Sequence, residues 1–335
     1  MKAAIYPGHG QALEIHDVED PSPSSTDIVI KVHRCGICGT DLHMTEGHTW
    51  QFPTNCIPGH EFAGEIVDIG AEVKGYKKGD LITALPSTGC GQCVACHAGN
   101  YVLCHHSPGV LGGFAEYMSI PSKVALKLPT HLNAADGALI EPLAVGLYGV
   151  RIAQLQKNDT VLIMGAGSVA LCTAFWAKHM GAKKVVILSR SAWRQTMALN
   201  IGADAVVVQS DSTEAELNEL FAGKADVVFE CIGQPNQLMQ AVNYARVLGK
   251  VVSLGFCTQA DPIIPAIIGY KGVSLFFPVG YTLQDFKYAA DTMDKGHVDP
   301  KIMITSTRPL DDIALAFSSL RQANQETKIH ISPLL

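Results

Sequence analysis

Four cysteines, Cys90, Cys93, Cys96 and Cys104, are spaced three, three and eight residues apart. Thiolates this close in sequence can converge on one tetrahedral Zn²⁺, and four sulfur ligands leave no open position for water. A closed site of that kind is structural, because metal binding folds a loop that would otherwise be loose. The competing readings are four unrelated cysteines in a flexible loop, or a pair of labile disulfides. The chain has ten cysteines, and Met1-Lys2-Ala3-Ala4-Ile5-Tyr6-Pro7 contains no apolar run of signal-peptide length. A reducing, cytoplasmic setting is therefore expected, which favours metal over disulfide.

A second set is open. Cys38 lies in Cys35-Gly36-Ile37-Cys38-Gly39-Thr40-Asp41-Leu42-His43, and His60-Glu61 follows in Gly59-His60-Glu61-Phe62-Ala63-Gly64. Glu141, in Ile140-Glu141-Pro142-Leu143, is a further candidate ligand. One thiolate, one imidazole and one carboxylate would leave the fourth position to water or a substrate oxygen, as in a catalytic zinc site. Such a zinc polarises a carbonyl, or acidifies a bound alcohol so that hydride can leave its carbon. Each residue alone has a plainer reading, the cysteine as a small buried hydrophobe and the others as surface groups. The residues do not choose between Glu61 and Glu141.

A third pattern binds phosphate. Val161-Leu162-Ile163-Met164 is an apolar strand that runs into Gly165-Ala166-Gly167-Ser168-Val169-Ala170 and then a helix. In Gly-x-Gly-x-x-Ala the first glycine makes the turn and the second admits a pyrophosphate. The small third residue permits close helix–strand packing. The helix N-terminus then offers N–H groups to the phosphates. At the end of the next strand, where an NAD site places Asp or Glu, this chain has Ser189, followed by Arg190 and Arg194. No carboxylate there would repel a 2′-phosphate, and two guanidinium groups could bind it. NADP(H) is expected in preference to NAD(H).

These residues need a scaffold of two parts. A chain of 335 residues, 47% hydrophobic and 17% charged, exceeds one ordinary core. Its first 130 residues are rich in Gly and Pro, with runs such as Ile28-Val29-Ile30-Lys31-Val32 and Gly64 to Ile69, and read as a β-rich domain. Residues 133 to 155 read as helical. Beyond them, strands at Val161–Met164, Lys184–Leu188, Ala205–Val208, Ala225–Glu230 and Lys250–Leu254 alternate with helical segments such as Ser168–Met180 and Ser191–Ile201. That alternation predicts a parallel sheet with helices on both faces. Helices at Leu283–Asp294 and Leu310–Gln322 and a strand at Lys328–Ile331 end the chain. The uncharged stretch from Thr160 to Ala177 has nearly the length of a membrane span, but its glycines read better as strand, turn and buried helix. A net charge of −6 without a basic block argues against nucleic acid as a partner.

Taken together, the chain resembles the zinc-containing medium-chain dehydrogenases/reductases, on the branch of polyol, threonine and related secondary-alcohol dehydrogenases. Gly112-Gly113-Phe114-Ala115-Glu116-Tyr117, Glu141-Pro142-Leu143-Ala144-Val145-Gly146 and Asp226-Val227-Val228-Phe229-Glu230-Cys231-Ile232-Gly233 carry the resemblance with the motifs above. It implies an α/β architecture in two parts: a GroES-like β domain over 1–143 and 283–335 with both zincs, and a Rossmann cofactor domain over 144–282. The active site is implied in the cleft between them. Cys38 and His60 correspond to catalytic zinc ligands. Glu61 corresponds to a neighbouring glutamate that ligates in some members, and Glu141 to a third ligand that in polyol-type members acts through water. Thr40 corresponds to a hydroxyl that bonds the substrate oxygen, and His43 to a proton relay. Homodimers or homotetramers are implied.

Three features depart from the family pattern. Ser189-Arg190 replaces the acidic residue of the NAD-dependent majority. The segment His105 to Leu111 looks short. Gly280 stands before Tyr281, where polyol dehydrogenases commonly carry an arginine, which moves the expected substrate toward a hydrophobic secondary alcohol or ketone. Trp50, Phe52 and Phe276 or Phe277 are candidate pocket walls. The alternatives are an NAD-dependent polyol dehydrogenase and a catalytically inactive binding protein of the same fold.

Overall fold

The computed structural model describes residues 1–46, 51–107, 109–296, 299–322 and 325–335. The chain forms two compact units, Met1–Glu141 with Gly280–Leu335, and Pro142–Val279.

The first unit is β-rich. Strands β1 (Lys2–Ile5) and β2 (Glu14–Asp17) form an antiparallel pair. A larger sheet is built around β3 (Asp27–Gly36) and β4 (Glu61–Ile69), with β5 (Leu81–Ala84), β6 (Tyr117–Pro121) and β7 (Ala125–Lys127). The β-branched stretch Ile28–Val32 suits a pleated, half-buried surface, and Ile28, Ile30 and Val32 are fully buried. Helix α1 (Gly39–Glu46) follows β3 directly, and short helices α2 (Val94–His97) and α3 (Ala134–Gly137) lie in later connections. Asn133 opens α3 with a capping box: its side chain accepts from the N–H of Ala135 and Asp136, and Asp136 accepts from the N–H of Asn133.

The second unit is a parallel sheet with helices. Helix α4 (Ile140–Ile152) leads to β8 (Thr160–Met164), α5 (Ser168–His179), β9 (Lys184–Ser189), α6 (Gln195–Ile201) and β10 (Ala205–Val208). The chain continues through α7 (Thr213–Phe221), β11 (Ala225–Glu230), α8 (Gln237–Tyr244), β12 (Ala245–Ser253), α9 (Pro265–Lys271) and β13 (Ser274–Phe276). Strand order is β10-β9-β8-β11-β12-β13, a doubly wound order that reverses between β8 and β11. Leu162, Met164, Val186, Val228 and Val251 form one core with Leu217 of α7 and Leu238, Ala241 and Val242 of α8. Val161 and Ile163, on the opposite face, are equally buried, as expected when helices cover both faces. The stretch from Thr160 to Ala177 is thus strand, turn and helix, and no helix among the described residues is long and apolar enough to cross a membrane.

Strand β12 starts five residues before the predicted Lys250. Ala245 pairs with Ala225, the register then shifts, and pairing resumes at Lys250. The intervening Val247 and Leu248 are exposed, Leu248 at φ 57°, so no buried run marked the strand's start. Strand β13, three residues long, was too short to announce itself.

The chain ends in the first unit with α10 (Leu283–Asp294), β14 (Ile304–Pro309), α11 (Ile313–Arg321) and β15 (Lys328–Ser332). Thr282 caps α10 through the Asp285 N–H, and Asp285 accepts from the N–H of Thr282. Strand β15 pairs antiparallel with β3, His330 opposite Gly36 and Ile331 opposite Cys35. That pairing brings the C-terminal strand beside the metal-type residues.

Candidate metal centres and dinucleotide site

The donor atoms of Cys38, His60 and Glu61 all lie within 4.8 Å of one another. Cys38 sits between β3 and α1, and His60 and Glu61 stand at the start of β4, so the β3–β4 pairing assembles them. The thiol sulfur of Cys38 accepts from the N–H of Thr40 (3.4 Å), in the first turn of α1. Asp41, fully buried, serves two neighbours. One carboxylate oxygen accepts from the N–H of Cys38 at 2.9 Å. The other, with no directed hydrogen bond of its own, faces His60 Nδ1 at 3.3 Å. Burial disfavours the imidazolium of His60, yet Asp41 and Cys38 outweigh it and lift its pKa well above the usual histidine value. A carboxylate behind one ring nitrogen is a common device for aiming the other at a metal.

Glu61 is clamped from behind. Lys328 Nζ, from β15, donates to both carboxylate oxygens at 2.7 and 2.6 Å, and also to the carbonyl of Ile37 at 3.0 Å. Both side chains are almost fully buried. The carboxylate occupies the space a Cβ at Gly36 would need, which explains a glycine there. Glu141 is buried outside the three-residue set, and its Oε1 accepts from the Tyr281 hydroxyl at 2.9 Å. Burial pushes Glu141 up to about 7. Burial, then Glu141 itself, raises the Tyr281 phenol. Thr40 and His43 are partly buried on α1, with His43 Nδ1 3.9 Å from Glu46.

Cys90, Cys93, Cys96 and Cys104 also converge within 4.8 Å. Sulfur separations of 3.9 Å (Cys90 to Cys96) and 3.6 Å (Cys93 to Cys96) are close to the edge of a tetrahedron with Zn–S bonds of about 2.3 Å. No disulfide joins them. N–H groups of Gln92 and Cys93, with Cys104, pull the Cys90 thiol down to about 6. Thiolate character and tetrahedral spacing fit a four-sulfur zinc. Gly89, at φ 65°, leaves room that a Cβ would fill 2.8 Å from the Cys96 sulfur.

In the second unit, Gly165 turns at φ 102° and Gly167 precedes α5. A Cβ on Gly167 would meet nothing within 4 Å. Internal packing therefore does not demand this glycine, and the space it leaves open fits a phosphate at the helix N-terminus. Ser168 and Val169 begin the helix, and Ala170 is fully buried within it. Ser189 ends β9, buried, its hydroxyl accepting from the N–H of Ser191. Arg190 is exposed, and Arg194 lies 4.2 Å over the Trp193 ring. Burial and then Arg190 lower the Arg194 guanidinium below its ordinary value.

Trp50 falls outside the described residues, as does Pro108 of the short segment. Phe52 packs edge-to-face on Tyr6 as ordinary core, whereas Phe277 is largely exposed. Gly280 adopts φ 71°, and a Cβ there would lie 2.7 Å from Val102 and 2.8 Å from Asn100. Sequence reasoning passed over Asp41, Lys328 and Tyr281. Asp41 carried a local signal, an acid three residues after Cys38 at a helix start. Lys328 and Tyr281 carried none, because strand pairing and chain return bring them in from far away.

Residues 24–130 match the alcohol dehydrogenase GroES-like domain, and residues 168–295 match the zinc-binding dehydrogenase domain. The chain is 31% identical to L-threonine 3-dehydrogenase of Pseudoalteromonas atlantica, with 96% of each chain covered. It is 32% identical to (R,R)-butanediol dehydrogenase of Bacillus subtilis, covering 99% of this chain and 100% of that one. Among solved structures, a Sinorhizobium meliloti protein described as a zinc-binding dehydrogenase bound to NADP shares 32% identity at a TM-score of 0.91, covering 99% of both.

Proposed function

Because the chain belongs to the zinc-containing medium-chain alcohol dehydrogenases, we propose that it transfers hydride between NADP(H) and a secondary alcohol, ketone or aldehyde. The convergence of Cys38, His60 and Glu61 in one unit is the observation that carries this reading. Cys38, His60 and Glu61 would hold one zinc, with Glu141 behind them, and the four-cysteine lobe would hold a second. When bound, the first zinc supplies a Lewis acid for the substrate oxygen and the nicotinamide supplies or accepts the hydride.

The protein's own groups do the rest. Asp41 keeps the His60 ring in its ligating orientation, and Lys328 holds the Glu61 carboxylate in place through both oxygens. Thr40 Oγ1 accepts the proton released by an alcohol or returns it to a ketone, and the His43 imidazole passes it toward solvent. Gly165 and Gly167 admit the pyrophosphate to the N-terminus of α5. Arg190 and Arg194 bind the 2′-phosphate that a carboxylate at position 189 would repel. The Sinorhizobium meliloti relative holds NADP, which supports that preference.

Threonine's 3-hydroxyl and the stereogenic carbinols of (R,R)-butanediol are secondary alcohols, which supports the substrate class. Gly280 weighs against the NAD-dependent polyol reading, since its backbone and neighbours leave no easy place for an arginine. An inactive binding protein would have little reason to keep both donor sets. The protein is proposed to be a homo-oligomer: β13 lies at a sheet edge, and Ile263, Ile264, Tyr270 and Phe277 around it are exposed. The deciding experiment is a screen of secondary alcohols and ketones followed by NADPH absorbance on protein of measured zinc content. Zinc-loaded protein with no turnover on any of them, with either cofactor, would sink the proposal.

A further inference from the structure

Glu230, the last residue of β11, is a buried acid that none of the chemistry above uses. Its Oε1 accepts from the N–H of Ile232 at 2.6 Å and of Gly233 at 2.8 Å. Its Oε2 accepts from the Ser253 hydroxyl at 3.2 Å. Its backbone carbonyl accepts from the N–H of Leu254 (2.7 Å) and Gly255 (3.0 Å). One residue thus ties the loop after β11 to the loop after β12. Gly233 and Gly255 lie backbone to backbone, so neither tolerates a Cβ, and one at Gly255 would also sit 2.9 Å from Glu230 Oε2. Three donors face the two oxygens, the arrangement of a carboxylate rather than of its acid. Among the described residues, no Lys, Arg or His forms an ion pair with it. The charge is buried and held by neutral donors alone.

Its place in the sheet gives that charge a use. The strand order reverses between β8 and β11, and in such sheets a dinucleotide lies across the carboxyl ends at the reversal, one mononucleotide on each half. The β8–β9 half carries the glycine turn and Ser189, which take the adenosine end. The β11–β12 half remains for the nicotinamide end. Glu230 stands opposite Met164, the last residue before Gly165, and a Cβ on Gly165 would touch Ile232 at 3.2 Å. The Glu230 loops therefore form the wall of that crevice.

We propose that Glu230 positions the nicotinamide half of the site and selects for its oxidised form, because a buried carboxylate with no counter-ion attracts the cationic ring and not the neutral reduced one. The inference rests on the cofactor reading above. Uncompensated charges near one another in a protein of intermediate dielectric give an effect of about tenfold in affinity.

The test is equilibrium binding, by calorimetry or protein fluorescence, of NADP⁺, NADPH, NAD⁺ and NADH to wild type, Glu230→Gln and Glu230→Asp, with thermal unfolding alongside. Glu230→Gln keeps an acceptor for the two N–H groups and removes the charge. It should weaken the oxidised form about tenfold and leave the reduced form within about twofold. Glu230→Asp keeps the charge and shortens the reach. It should weaken both forms together and preserve their ratio, which keeps the test readable if Glu230→Gln fails to fold. Equal losses for both forms in Glu230→Gln, an unchanged profile, or an altered ratio in Glu230→Asp would overturn the proposal. Wild type that binds none of the four would instead remove the cofactor reading, and this inference with it.

Discussion

Lys328 donates to both oxygens of Glu61 from a strand 267 residues away, and both side chains are almost fully excluded from solvent. The strand that ends the chain thus fixes the position of a proposed metal ligand. Breaking one side of a buried pair strands the other, at a cost of about 3–5 kcal/mol. Lys328→Met should therefore lower metal-free stability by roughly that amount. If Glu61 is a ligand, zinc supplies the missing positive charge, so zinc should raise the melting temperature more in Lys328→Met than in wild type. An equal or smaller rise would exclude Glu61 from the ligand set.

His330 lies two residues along the same strand, fully buried, and neither ring nitrogen finds a partner among the described residues. Burial, followed by Lys328 and Arg34, pushes it down to about 3. Above pH ~6.5 both folded and unfolded chains carry it neutral, and it makes no pH-dependent contribution to stability. Between ~6.5 and 3 the unfolded chain binds a proton that the folded chain refuses, so stability falls by about 1.4 kcal/mol per pH unit on this account. Urea unfolding from pH 7 to 4 should show that slope, and His330→Leu should lack it. Parallel slopes would show that His330 is not buried neutral.

Zinc analysis should find two ions per chain, and Cys96→Ser should leave one. Cys96 is one of two buried members of the lobe, with Cys104, and its sulfur approaches those of Cys90 and Cys93. The loop should then become sensitive to proteolysis between residues 88 and 107, since its folding depends on metal. Retention of two ions would show that the four sulfurs do not share a site.

Ser189→Asp places a carboxylate at the end of β9, beside Arg190 and Arg194. Repulsion of the 2′-phosphate and a bond to the ribose hydroxyl should lower kcat/KM with NADP(H) by roughly tenfold to a hundredfold and raise it with NAD(H). Steady-state kinetics with both cofactors decides the matter. Unchanged preference would mean that the two guanidinium groups are solvated helix-start residues only.

Gly280→Arg tests the departure from the polyol pattern. A non-glycine residue at φ 71° costs roughly 1–2 kcal/mol, and contact with Val102 and Asn100 adds to it. The variant should melt several degrees lower and gain no activity on sugar alcohols. A stable variant that oxidises them would reverse the substrate-class argument.

How much of this was legible from residues alone followed the range of the interactions involved. The four-cysteine lobe, the glycine turn after β8 and the Leu283–Asp294 helix are local: ligand spacing, a positive φ and helical periodicity act within a few residues. The position of Ser189 at a strand end was readable for the same reason. Cys38 and His60 could be named as donors, yet only the pairing of β3 with β4 brings them together. The neighbours of Glu61 and Glu141 were not legible: they are Lys328 on the last strand and Tyr281 after the chain's return. The burial, counter-ion and hydroxyl around these carboxylates arrive through strand pairing and chain return, long-range facts that no short window of sequence contains. Glu230 shows the same division: its apolar strand was predictable, while its unpaired charge under two loops exists only because β11 and β12 are neighbours.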